Sequence, residues 1–95
     1  MSKNHNKELV GVYKRCLSAL STTYKSHKPN SEQCSKFVAI ANKEASKRTF
    51  ESAGKKEQWI KYRVEELYSE ALVKANLDPN GQLKKQIEDK IAHLG

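Results

Sequence analysis

The sequence predicts an all-α fold: an antiparallel three-helix bundle with a short fourth helix at its C-terminal end. Three observations lead there. Apolar residues recur at three- and four-residue steps in four separate windows, the breaks between windows fall at "HKPNSE", Gly54 and "DPNG", and no window shows the two-residue alternation of a strand. Short connections between helices that each carry one apolar stripe favour an up-down-up arrangement.

The first helix is expected from about Asn6 to Ser26, on the spacing of Leu9, Val10, Tyr13, Cys16, Leu17, Leu20 and Tyr24. Gly11 weakens it by about 1 kcal/mol relative to alanine. At about 100° per residue, Tyr13 falls at the centre of the apolar face, Lys14 at its edge and Arg15 almost opposite. A buried Tyr13 ring needs a partner for its hydroxyl. Pro29 then disfavours a helical approach through His27 and Lys28, and Asn30 or Ser31 is placed to cap the next helix with Glu32 in its first turn.

The second helix is expected over about Ser31 to Ala53. Cys34, Phe37, Val38, Ala41 and Ala45 share one face, and Gly54 is expected as a left-handed C-cap. The third, from Lys55 to about Asn76, places Ile60, Val64, Leu67, Ala71 and Ala75 on a stripe widened by Tyr68 and Leu72. "DPNG", Asp78 to Gly81, reads as a turn with proline at its second position. Leu83, Ile87, Ile91 and Leu94 mark a last helix over about 82–94.

A chain of 95 residues suits one domain, 1–95, which at this size buries only about 60 to 65% of its unfolded surface. Composition, 37% apolar and 31% charged with two prolines, is that of a folded helical chain and too apolar for a disordered one. No apolar run reaches the roughly 18 residues that cross a bilayer. Cys16 and Cys34 make no disulfide framework and no metal-binding pair, and they fall on expected core faces as buried thiols. Without a secretory h-region an intracellular compartment is expected, and the basic bias of the first fifteen residues is compatible with an organelle-targeting helix.

The net charge of +7 is unevenly spread. Residues 36–63 hold eight bases against three acids, whereas residues 64–79 hold one base against four acids. The excess is therefore a patch, suited to an acidic partner. In the second helix Lys36, Lys43 and Lys47 cluster opposite the alanines beside Ile40, with Arg48 on the core margin. Such a face is either a solvated surface or an anion-docking one. Ala41 and Ala45 likewise allow either close helix approach or a channel for an alkyl guest, which contributes about 0.8 kcal/mol per buried CH₂. Catalysis has little support: His5, His27 and His93 form no zinc or nucleophile spacing, and there is no glycine-rich phosphate loop or paired-carboxylate motif.

The stretch "LVGVYKRCL" resembles the leading motif of the Leu-Tyr-Arg (complex I LYR-like) family of small mitochondrial helical proteins, a triplet early in the first helix with a leucine three residues on. Val12, Tyr13 and Lys14 occupy the triplet and Leu17 the following leucine. Lysine replaces the arginine and lacks its planar fork. "KRTFESAGKKE", with Phe50 after Lys47 and Arg48, is similar to the family's downstream phenylalanine in a basic context. The resemblance spans roughly residues 8 to 73.

The resemblance implies a non-enzymatic accessory or assembly protein of a mitochondrial complex, respiratory complex I or similar, on the matrix side. It implies no cofactor of the chain's own. The partner would be acylated mitochondrial acyl carrier protein, contributing a 4′-phosphopantetheine-linked acyl chain that inserts between the helices. The implied acyl tunnel is lined by Val10, Tyr13, Leu17, Val38, Ala41, Ala45, Val64 and Leu67. Lys36, Lys43, Lys47 and Arg48 would meet the carrier's acidic surface. An alternative from composition is a basic helical nucleic-acid-binding module, on cations interleaved with Trp59, Tyr62 and Arg63. A third reading is a structural subunit of a large assembly with no acyl guest.

Overall fold

A computed structural model describes the backbone of residues 2–25 and 28–94 and, among these, the side chains from Val10 onward. Four helices make up the described chain: α1 (Ser2–Thr23), α2 (Ser31–Ala45), α3 (Ala53–Lys74) and α4 (Gln82–Leu94). The fold is all-α, as the periodicity predicts.

α1 begins at Ser2, four residues before the expected start at Asn6, because polar first turns leave no mark in a hydrophobic pattern. It stops short of the expected end. Tyr24 still bonds back to the Leu20 carbonyl, but it and Lys25 are no longer helical, and the Tyr24 ring turns into the core. Ser26 and His27 lie outside the described residues. Asn30 caps α2: its side chain accepts from the Gln33 amide at 2.7 Å, and the Gln33 side chain accepts from the Asn30 amide at 3.4 Å. This reciprocal pair satisfies two of the helix's orphan donors.

α2 ends at Ala45, eight residues earlier than expected. The Ser46 hydroxyl donates to the Lys43 carbonyl at 2.6 Å, and the amides of Lys47 and Arg48 bond back three residues, closing the helix with a tight turn. Phe50 therefore lies in the link between helices, where its ring meets Trp59 at 5.9 Å. Gly54 is not a C-cap. Ser52 caps α3 by accepting from the Lys55 amide at 3.2 Å, and Gly54 is the second residue of that helix.

The left-handed C-terminal residue belongs instead to α3, where Asn76 has φ 61°. The Asn76 amide bonds to the Val73 carbonyl and the Leu77 amide to that of Leu72, the paired reversal that ends many helices. The Gly81 amide then bonds to the Asp78 carbonyl at 3.0 Å, closing the DPNG turn. The Asp78 carboxylate accepts from the Leu83 amide in the first turn of α4.

α3 is central, packing against each of the other three helices. Rising numbers on α1 meet rising numbers on α3, Arg15 with Glu57 and Tyr24 with Tyr68, so these two run the same way. Glu44 meets Arg63 and Phe37 meets Tyr68, so α2 runs opposite to α3. Lys90 sits over Tyr62 while Leu83 shares a hollow with Leu72, which sets α4 opposite to α3 as well. Serving three neighbours widens the buried surface of α3 to Trp59, Ile60, Val64, Glu65, Tyr68, Ser69 and Leu72. Leu67 and Ala71 are only half-buried, and Ala75, expected on the stripe, is an exposed cap.

Leu20, Val38 and Val64 are fully buried at the centre with Cys16, Cys34 and Ser69. Each such aliphatic side chain contributes about 1.5–3 kcal/mol. Small residues on all three helices let the backbones approach closely and keep the core dense.

Candidate functional site

An open groove of about 720 Å³ runs between α1 and the first half of α2. Val10 and Tyr13 of α1 form one wall, and Ser35, Val38 and Ala39 of α2 form the other. Lys14, Ser31 and Glu32 add polar groups. The Tyr13 hydroxyl finds its partner here, donating to the Ser31 carbonyl at 3.3 Å. Tyr13 is thus a half-buried wall residue, and Val10 is 50% exposed, a large apolar side chain facing the opening.

Of the residues expected along an acyl tunnel, the groove brings together Val10 and Tyr13, with Val38 in its lining although only 1% exposed. Ala41, Ala45 and Val64 are closed within the core, at 0–1% exposure. Leu17 and Leu67 are half-buried beside them. Of the motif residues, Val12 and Leu17 pack against the core, Lys14 is exposed at the groove, and Phe50 lies in the α2–α3 link on Trp59. Arg15 does not face away from the protein, since it pairs with Glu57 of α3.

Lys36 and Lys43 are exposed on α2 next to Ile40, itself 41% exposed, whereas Lys47, expected on the same helix, is exposed in the turn that follows Ala45. None of the three pairs with a carboxylate among the described residues. Of the three acids from Glu32 to Glu51, Glu51 pairs with Lys55 at 3.3 Å and Glu44 with Arg63 at 2.8 Å, and Glu32 stands one turn before Lys36 on α2. Arg48 stands past the helix end, its guanidinium 4.9 Å from the centre of the Trp59 ring.

Sequence reasoning missed the Arg63 cluster. Arg63 donates to Glu44 of α2 and to Glu66 at 2.5 Å, with Glu70 at 4.0 Å, and it ties α2 to α3. Hydrogen bonding from Arg63 pulls the Glu44 carboxyl below the usual range, and the same bonds raise the Arg63 guanidinium. The only signal in sequence is the three-residue spacing of Arg63 and Glu66; Glu44 requires the helix register. The trio behind the nucleic-acid alternative is not a stacking platform. Trp59 is buried, Tyr62 is half-buried with Lys90 over its ring, and Arg63 is held by acids.

Glu65 is the second group missed. It is buried on α3 with Oε2 lacking a hydrogen-bond partner, and burial pushes its carboxyl up. The free thiols of Cys16 and Cys34 are both buried; desolvation pushes Cys16 up to about 12 and raises Cys34. These are not activated nucleophiles.

Among the described residues no group of three or more His, Cys, Asp or Glu is placed to hold a metal ion, and no helix is long and apolar enough to cross a membrane. Comparison of the chain with models of known families, with curated proteins and with solved structures found no match.

Proposed function

We propose that the chain is a non-enzymatic accessory or assembly subunit of a mitochondrial complex, of the Leu-Tyr-Arg kind, that binds acylated acyl carrier protein. The arrangement underlying this reading is an antiparallel three-helix bundle, α1 to α3, with α4 appended to α3. The observation that carries it is the coincidence of the groove with the motif: Tyr13 and Lys14, the central and last residues of the Leu-Tyr-Arg-like triplet, line the same apolar opening as Val10 and Val38.

Two physical arguments support the pairing. An alkyl chain laid along Val10, Val38 and Ala39 gains about 0.8 kcal/mol per buried CH₂, which matters to a domain this small. The exposed lysines of α2 and the turn after it, Lys36, Lys43 and Lys47, none of them in an ion pair among the described residues, favour an acidic protein surface over a neutral one. In this reading the guest lies in a surface groove, and the closed alanines serve helix packing.

Co-expression with acylated and with non-acylated carrier protein, followed by intact-mass measurement of what co-purifies, tests the reading. A stable complex with the acylated form alone is expected. Failure of the acylated carrier to co-purify overturns it.

A further inference from the structure

A second, more enclosed pocket lies between the α2–α3 link and the last turns of α4, with a volume of about 170 Å³. Its apolar lining is Phe50, Trp59, Ile91 and Leu94. The two rings meet at 5.9 Å and 54°. A cavity of about 150 Å³ walled by such side chains takes a benzene-sized guest, so there is room for one ring and little more.

Arg48 supplies the polar side. Its guanidinium carbon lies over the Trp59 ring, 4.9 Å from the ring centre, a cation–π contact that leaves its N–H groups without a hydrogen-bond partner among the described residues. Arg48 is exposed and pairs with no carboxylate among the described residues. Glu51 also lines the pocket but is paired with Lys55 at 3.3 Å, and Glu44 and Glu66 in the neighbouring hollow are held by Arg63. The exposed Lys47 and Lys56 flank the same link and add to the positive field. A planar guanidinium without a counter-ion can donate two parallel hydrogen bonds to a carboxylate.

The two halves of the pocket meet in one ligand chemistry. We propose that it binds a ring-sized apolar group joined to a carboxylate, either a free aromatic acid or the C-terminal residue of a peptide. The ring sits among Phe50, Trp59 and the α4 aliphatics, and the carboxylate sits on the Arg48 fork. The pocket is separate from the α1–α2 groove, and its test uses the purified chain alone, so its failure says nothing about carrier binding.

Trp59 is the single tryptophan of the chain, so its fluorescence reports directly on the pocket wall. Titration with 3-phenylpropanoate is expected to give a saturable change, and the corresponding amide to bind about tenfold more weakly or worse, as loss of a charge-assisted hydrogen bond requires. Arg48→Met is expected to lose a similar factor with unchanged circular dichroism, and Arg48→Lys to recover only part of it. A peptide ending in phenylalanine with a free carboxylate separates the sources: tighter binding than 3-phenylpropanoate supports a chain end, weaker binding a free acid. No saturable change with either acid, equal binding of acid and amide, or unaltered affinity in Arg48→Met overturns the proposal.

Discussion

The Tyr13 hydroxyl donates across 3.3 Å to the Ser31 carbonyl, joining the middle of α1 to the first residue of α2. A carbonyl in a first turn already serves its own helix and uses its second lone pair here. Tyr13→Phe keeps the ring in the groove wall and removes only this bond. The expected cost is about 0.5–1 kcal/mol, read as a slightly lower denaturation midpoint at unchanged slope.

Val10 tests the groove rather than the fold. Because its side chain is half-exposed, Val10→Glu leaves folding intact and sets a carboxylate where the proposed acyl chain and acidic partner must lie. Association with acylated carrier protein is expected to fall at least about tenfold, since desolvating an unpaired charge opposes it. Co-purification at equal expression, beside Lys36→Ala as a milder charge control, measures this.

Arg63 carries the charge link between α2 and α3. Arg63→Met keeps the stem's packing but leaves Glu44, Glu66 and Glu70 close together without their shared cation. The expected loss is about 1–3 kcal/mol, below that of a fully buried pair because Glu44 is partly solvated. The sign with pH follows from the depressed Glu44 carboxyl. Its contribution is present above the ordinary carboxylate range and lost as pH falls through the lowered folded value, so wild type and variant converge in acid. Urea unfolding at neutral and at acid pH checks both points.

Helix existence was legible in sequence because it depends on local periodicity, and the last helix was placed over the same residues, 82–94. The end of α2 was not. Extending the helix past Ala45 looks sound from propensity, yet Ser46 turns its hydroxyl back to Lys43 and Phe50 gains more by packing on Trp59, a contact nine residues away. Gly54 reads as a C-cap for the same reason, while the left-handed residue that ends a helix is Asn76, which the periodicity places inside α3. The groove was half legible. Tyr13 and Val38 follow from helical faces, but Ser31, Ser35 and Ala39 enter it only through the offset at which α1 and α2 dock.

Gly11 offers a gain in stability. It lies inside α1 with helical backbone, and a Cβ there meets the Arg15 guanidinium at 3.6 Å, an ordinary contact with a flexible side-chain end. Gly11→Ala is expected to stabilise by about 0.5–1 kcal/mol, since alanine restricts the unfolded chain and favours the helix. Thermal unfolding checks it, and an unchanged or lower midpoint contradicts it.

Glu65 gives the opposite pH dependence to Glu44. Burial raises its carboxyl, while Lys90 of α4, Lys61 of α3 and a hydrogen bond with Thr23 of α1 oppose the rise less strongly. An acid raised in the folded state favours folding most below its ordinary value and loses that advantage as pH climbs through the folded value. At neutral pH the chain therefore holds a carboxyl with a buried, unpartnered oxygen. Glu65→Met, close in volume and free of charge, is expected to stabilise by about 1–3 kcal/mol at pH 7. The gain is expected to shrink as pH falls through the raised folded value and to vanish below the ordinary carboxylate range, where Glu65 is protonated in both states. A gain independent of pH would mean that packing, not the charge, sets the cost of Glu65.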